Sequence, residues 1–291
     1  MKLQINPFLY REMKRYAGSR RFYTGLSVFV GFLALVTGVG YNMVLRASWD
    51  QVMDYSGVAY VYFILAGILG LTVLLMVPSF AAGSLASEWE DNTMELLLTS
   101  SVRPSEIVVG KLMSSICLAV LMVVAGMPFL AVTFIIGGIH KKHLIEFILL
   151  MIVESVFVGS VGVSISASSR KADTAGLKSY SMSMGLSVGT PLIAAVMYLV
   201  EKTYQRGTDA SGQGSFGGVM LIFLLNPLVT VASLLTDQMG YRSKFEELLC
   251  VLGPVPSFFL DHWCFVSIAV QLMVSLSLLF LSTWKIKNYY L

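Results

Sequence analysis

The sequence predicts an all-α polytopic membrane protein with six transmembrane helices. Three observations carry that expectation. Of the 291 residues, 56% are hydrophobic and only 13% are charged, where soluble domains carry about 25% charged residues. Mean hydropathy is +0.76. The charges gather in short islands between apolar runs long enough to span, a span needing about 20 apolar residues. The net charge of +3 is too small to argue for a nucleic-acid partner, so the basic residues matter by position.

Taken in order, residues 1–22 read as a cytosolic interfacial helix. Asn6 stands at the N-cap and Pro7 at the first helical position. Leu9, Met13, Tyr16 and Ala17 form one face, with Arg11, Lys14 and Arg15 elsewhere, the pattern of a helix lying in a membrane surface. Residues 23–291 read as a single transmembrane domain. Its spans fall at 23–44, 58–83, 111–136, 144–167, 180–200 and 265–284. Pro128 is expected to kink the third. Gly159 and Gly162 in the fourth allow close helix approach. With the N-terminus inside, the inner side holds 13 of the 20 lysines and arginines, so the positive-inside rule puts both termini in the cytosol.

The region 201–264 is ambiguous. Residues 219–235 are apolar but interrupted by Asn226 and Pro227, and 248–260 carries Pro254 and Pro256. Outer re-entrant helices are the expected reading. The alternative, a seventh span at 219–235, moves Lys285 and Lys287 outside, against the charge rule. Cys250 and Cys264 fall on one side of the membrane and are able to pair, but the cysteine framework of secreted domains is absent and unpaired thiols are the expected reading. Cys117 reads as a buried small hydrophobe.

The most distinctive stretch is 84–110, between spans two and three. A bare connection needs about 2 to 8 residues, and this one is much longer. Glu88, Glu90, Asp91 and Glu95 do not belong in hydrocarbon, where a charge costs roughly 2.5 kcal/mol or more. Read as one helix over 84–99, it puts Glu88, Asp91 and Glu95 on one face and Trp89 and Leu96 on or near another, with Leu85 and Met94. Arg103 and Pro104 then end that helix, and Ser105 and Glu106 begin the next.

The run from Glu88 to Thr99 (EWEDNTMELLLT), followed by Arg103 to Lys111 (RPSEIVVGK), resembles the signature of bacterial ABC type-2 permeases. Those are the six-span membrane subunits of ATP-binding-cassette exporters. Asn6-Pro7 with Arg11-Glu12, and Asn226-Pro227, are similar to the family as well. One departure is Asn92, where the family often has Gly; both tolerate left-handed backbone. The resemblance implies that two such chains, identical or different, work with two cytosolic ABC ATPase subunits. It implies a coupling helix within 84–110 that docks on the ATPase through Glu88, Glu90, Asp91, Thr93, Glu95, Leu96 and Arg103. It also implies that Asn226 and Pro227 belong to an outer re-entrant gate, that spans two and five line the pathway, and that the protein sits in the bacterial cytoplasmic membrane. No cofactor is expected on this chain. ATP and Mg belong to the partner, since Val109-Gly110-Lys111 only mimics the tail of a phosphate loop. Ser105 stands where that loop needs Gly, and no Ser or Thr follows Lys111.

Glu154, inside span four, is a functional candidate by default as an intramembrane acid, although the small residues around it suggest simple burial. His140 and His143 flank two lysines that repel a cation, with no carboxylate or cysteine expected close by, so a solvated loop is the reading and not a metal site. Arg170, Lys171 and Asp173 form a small basic loop, either a topology anchor or a minor second contact with the ATPase. A membrane enzyme needs a polar cluster at membrane depth, and none is evident. An ion channel or secondary transporter would show repeats and broken helices and remains the alternative. Among cargoes, an amphipathic peptide or lipophilic drug suits the apolar, Met-rich spans best.

Overall fold

The computed structural model describes residues 19–47, 55–99, 102–137, 140–208 and 217–288, and these are all-helical or connecting. Helices are what apolar runs of this length must form. In hydrocarbon each backbone N–H and C=O has to be satisfied within its own segment. The helices are α1 (Arg20–Ala47), α2 (Tyr55–Glu90), α3 (Met94–Thr99), α4 (Pro104–Gly137), α5 (Lys141–Ser168), α6 (Ala172–Met184) and α7 (Thr190–Thr208). A π-helical segment, Gly185–Gly189, joins α6 to α7. A 3-10 helix (Gly217–Leu225), α8 (Pro227–Gln238), α9 (Arg242–Leu249), a short 3-10 turn (Cys250–Leu252), α10 (Ser257–Asp261) and α11 (Trp263–Asn288) follow.

Among the described residues, six helices are long and apolar enough to cross a membrane. They correspond to the six expected spans, but three begin or end well beyond the apolar runs. The second continues to Glu90, the third starts at Pro104 and the fifth at Ala172. Hydropathy marks only the part of a helix that tolerates hydrocarbon, while the backbone hydrogen bonds carry on into the polar residues beyond it. The expected interfacial helix lies outside the described residues up to residue 18. Pro128 is internal to α4, which runs on to Gly137. No disulfide joins Cys250, which is exposed, to Cys264.

The chain divides into two compact units. The first holds residues 1–180 and 275–291. In it α2, α4 and α5 pack on one another, with α1 against α2 and α4. α5 packs closely on both neighbours: a Cβ placed on Gly162 would lie 2.6 Å from the Ala81 Cβ of α2, and one on Gly159 would lie 2.8 Å from a Leu112 methyl of α4. The small-residue face seen in the sequence is therefore a packing face. At one end of this unit Ala81, Leu85, Met94, Ile107, Val108, Leu112 and Val163 form a buried apolar cluster.

The second unit holds residues 181–274. Its core gathers Ala194, Met220, Phe223, Leu224, Leu249, Leu252 and Trp263. The run 219–235 is not one straight helix. The segments Gly218–Leu225 and Pro227–Gln238 meet at an angle of 95°.

Candidate functional site: the α2–α3 turn and the break at Asn226

The turn after α2 is built by its own backbone. Asn92 adopts φ +55°, its N–H bonds to the Trp89 carbonyl at 3.3 Å, and the Thr93 N–H bonds to the Glu88 carbonyl at 2.9 Å. This pair of bonds, with a left-handed residue between helix and exit, is a Schellman termination, in which Gly or Asn is the usual left-handed residue. Asn92 is thus the reason that α2 stops. Two residues on, α3 begins, and Met94 is 1% exposed in the apolar cluster beneath it.

Side chains then tie the turn to three other helices. The Glu88 carboxylate accepts from Lys111 Nζ of α4 at 3.1 Å and from the Thr93 hydroxyl. Lys111 is 3% exposed and Glu88 12%, so this is a nearly dry ion pair. The Glu90 carboxylate accepts from the backbone N–H of Ala172, the first residue of α6, at 2.9 Å. The Arg170 guanidinium lies 5.9 Å from the centre of the Trp89 ring. One turn earlier the Ser166 hydroxyl oxygen of α5 accepts from Leu85 N and Ala86 N at 3.0 and 2.9 Å.

The left-handed break corrects the expectation of one continuous helix over 84–99. Because it resets the helical phase, Glu88, Asp91 and Glu95 do not share a face. Glu88 turns inward to Lys111, while Asp91 and Glu95 are exposed. The apolar assignment changes for the same reason: Leu85 and Met94 are buried, Trp89 is half-buried, and Leu96 is 75% exposed. Arg103 is exposed just before α4. Glu90, Asp91, Thr93, Glu95, Leu96 and Arg103 thus supply the accessible surface, and Glu88 is internal to it. Lys111 was legible only as part of a motif. Its signal was physical, a cation at the mouth of an apolar helix that needs a counter-charge.

In the second unit, Asn226 repairs a different defect. Pro191 has no N–H, so the helix bond it would make to the Ser187 carbonyl is missing. Asn226 Nδ2 donates to that carbonyl at 3.0 Å and to the Thr190 hydroxyl at 2.8 Å, while its Oδ1 accepts from Val229 N at 3.1 Å as the N-cap of α8. Pro227 holds the first position of that helix. The Leu224 carbonyl, freed by the 95° bend, accepts from the Ser267 hydroxyl at 2.7 Å. Gln271 Nε2 donates to the Thr230 hydroxyl oxygen at 2.9 Å. Asn226, Thr230, Ser267 and Gln271 are all 0% exposed. Sequence reasoning marked Asn226 and Pro227 but not Pro191, Ser267 or Gln271.

Elsewhere in this unit Arg242 donates to Glu246 at 2.8 Å and to the Asp261 carbonyl at 2.9 Å. The Glu246 carboxylate pushes its pKa above the ordinary value. Glu154 is 2% exposed on the packed length of α5. His143 does have a carboxylate nearby, contrary to expectation: Glu146 Oε2 is 3.4 Å from its Nδ1, because residues three apart on a helix face each other. Among the described residues no group of three or more His, Cys, Asp or Glu is placed to hold a metal.

Six helices long and apolar enough to span, the second and third connected through a short braced helix with exposed acidic and apolar residues, define a polytopic membrane protein. The chain belongs to the ABC-2 family transporter proteins, whose sequence model matches residues 42–284. The match takes in both the α2–α3 turn and the break at Asn226. No curated protein gives a significant match to the chain. The family is one of membrane transport subunits rather than of catalytic enzymes.

Proposed function

We propose that this chain is the membrane subunit of an ATP-binding-cassette exporter, and that α3 is the coupling helix on which a cytosolic ATPase docks. The observation that carries this reading is the build of the α2–α3 turn. A six-residue helix is too short to be stable alone. Here it is held by the Asn92 termination, by Met94 and by the pair of Glu88 and Lys111, while Glu95 and Leu96 stay exposed. Rigid support beneath an exposed apolar residue ringed by charge is what a docking surface requires. The turn then faces the cytosol, both termini lie on that side, and the membrane is the bacterial cytoplasmic one. Two copies, or this chain and a homologous one, work with two ATPases. The partner supplies ATP and Mg, and this chain binds no cofactor. The bent pair around Asn226 is a re-entrant element on the outer side, and amphipathic peptides or lipophilic drugs are the favoured cargo.

The test is purification of the tagged chain from native membranes in mild detergent, with mass spectrometry of what accompanies it. Recovery of a stoichiometric protein carrying a phosphate-binding loop is expected, together with its loss in the double variant Glu95→Lys, Leu96→Glu. A chain that purifies without any ATPase under several gentle conditions overturns the reading and favours a channel or secondary transporter, with Glu154 the next residue to test.

A further inference from the structure

We infer that Glu90 is a positioning residue, linking the coupling turn to the start of the fifth span rather than touching the partner. The inference rests on the docking reading above and deepens it. Glu90 is the last residue of α2, directly before the turn that carries α3. Its carboxylate accepts from Ala172 N at 2.9 Å. Ala172 opens the helix that runs through the π segment as the spanning stretch Ala172–Thr203.

Chemistry favours this link. The first N–H groups of a helix have no partner within it, and they carry the positive end of its dipole. A carboxylate is the matching acceptor, and charge-assisted bonds of this type are about twice as strong as neutral ones. Within α6 itself the acid of the first turn is Asp173. The neighbouring contact of Arg170 with Trp89 brings the same loop to the same end of α2, so two adjacent residues of α2 hold two nearly adjacent residues of the loop.

The consequence is a division of labour within one short stretch. Glu88 joins the turn to α4, Ser166 joins the last turns of α2 to α5, and Glu90 joins the turn to α6. A partner that displaces α3 therefore pulls on the entry to span five through one carboxylate. That bond is exposed and yields to substitution without opening the core, unlike the buried pair of Glu88 and Lys111.

The test is hydrogen exchange of the full chain in nanodiscs, alone and with its co-purified ATPase, without nucleotide and trapped with ATP and vanadate. In the free chain, exchange at the Ala172 amide is expected to rise about fivefold in Glu90→Ala and by less, about twofold, in Glu90→Gln, whose neutral amide oxygen still accepts. In the trapped complex, wild type and Glu90→Gln are expected to change protection at both 88–96 and 172–175. Glu90→Ala is expected to change at 88–96 alone. If 172–175 responds in Glu90→Ala as in wild type, the positioning role is wrong while the docking reading stands. If 88–96 does not respond in the wild-type complex, or no ATPase co-purifies, the docking reading fails and takes this inference with it.

Discussion

The helix break at Asn92 and the helix break at Asn226 answer the same problem with opposite chemistry. Each interrupts a helix, and each frees backbone groups that need partners. At Asn92 the chain meets the polar end of its unit; backbone bonds close the break around a left-handed residue, and the side chains that brace it are ionic, Glu88 with Lys111 and Glu90. At Asn226 all the repairing groups are fully buried, and they are neutral: an amide, hydroxyls and a glutamine. Burying an isolated charge is far more costly than burying a hydrogen-bonded amide. The position of a break in the structure thus selects the side chains able to support it. Around the break at the polar end the carboxylates of Glu90, Asp91 and Glu95 stay exposed, while the neutral repair in the interior leaves no charge.

The sharpest way to break this contrast is to remove one ion. Glu88→Ala removes the carboxylate that the buried Lys111 meets at 3.1 Å and is expected to destabilise the protein by about 3 kcal/mol, read as a lower thermal midpoint in detergent. The double variant Glu88→Met, Lys111→Met is expected to recover most of that loss, because the burial of both charges is removed together. If the single variant melts like wild type, the pair is not the support assigned to it.

Next in size is Asn226→Leu, which strands the Ser187 carbonyl and the Val229 N–H. A loss of about 2 kcal/mol or more is expected, with faster exchange at the Val229 amide as its local signature. Gly162→Ala sets a Cβ against Ala81 and is expected to destabilise by about 1 to 3 kcal/mol through overpacking. Gln271→Leu removes one donor to Thr230 and is expected to lower stability by about 1 kcal/mol. The smallest effect belongs to Glu95→Lys. It is expected to leave the thermal midpoint within about 0.5 kcal/mol of wild type while weakening capture of the ATPase. A Glu95→Lys protein that unfolds readily would show that the exposed rim is structural after all.

Much was legible from the chain itself. Six apolar runs of spanning length dictated six helices, since hydrocarbon offers the backbone no other satisfied form. The acidic island at Glu88, Glu90, Asp91 and Glu95 had to leave the membrane for the same reason. Asn92 was readable as a residue tolerant of left-handed backbone, and Gly159 and Gly162 as a packing face. The tertiary structure decided which way each polar group turned. Periodicity assumes an unbroken helix, so it put Glu88 and Glu95 together, and one left-handed residue separated them into an internal support and an exposed carboxylate. The partners of Glu88, Glu90 and Asn226 lie 23, 82 and 39 residues away in the chain. Local pattern carries no information at that separation. Only packing brings Lys111, Ala172 and Ser187 within hydrogen-bonding distance, and only then does a charged or amide side chain acquire its role.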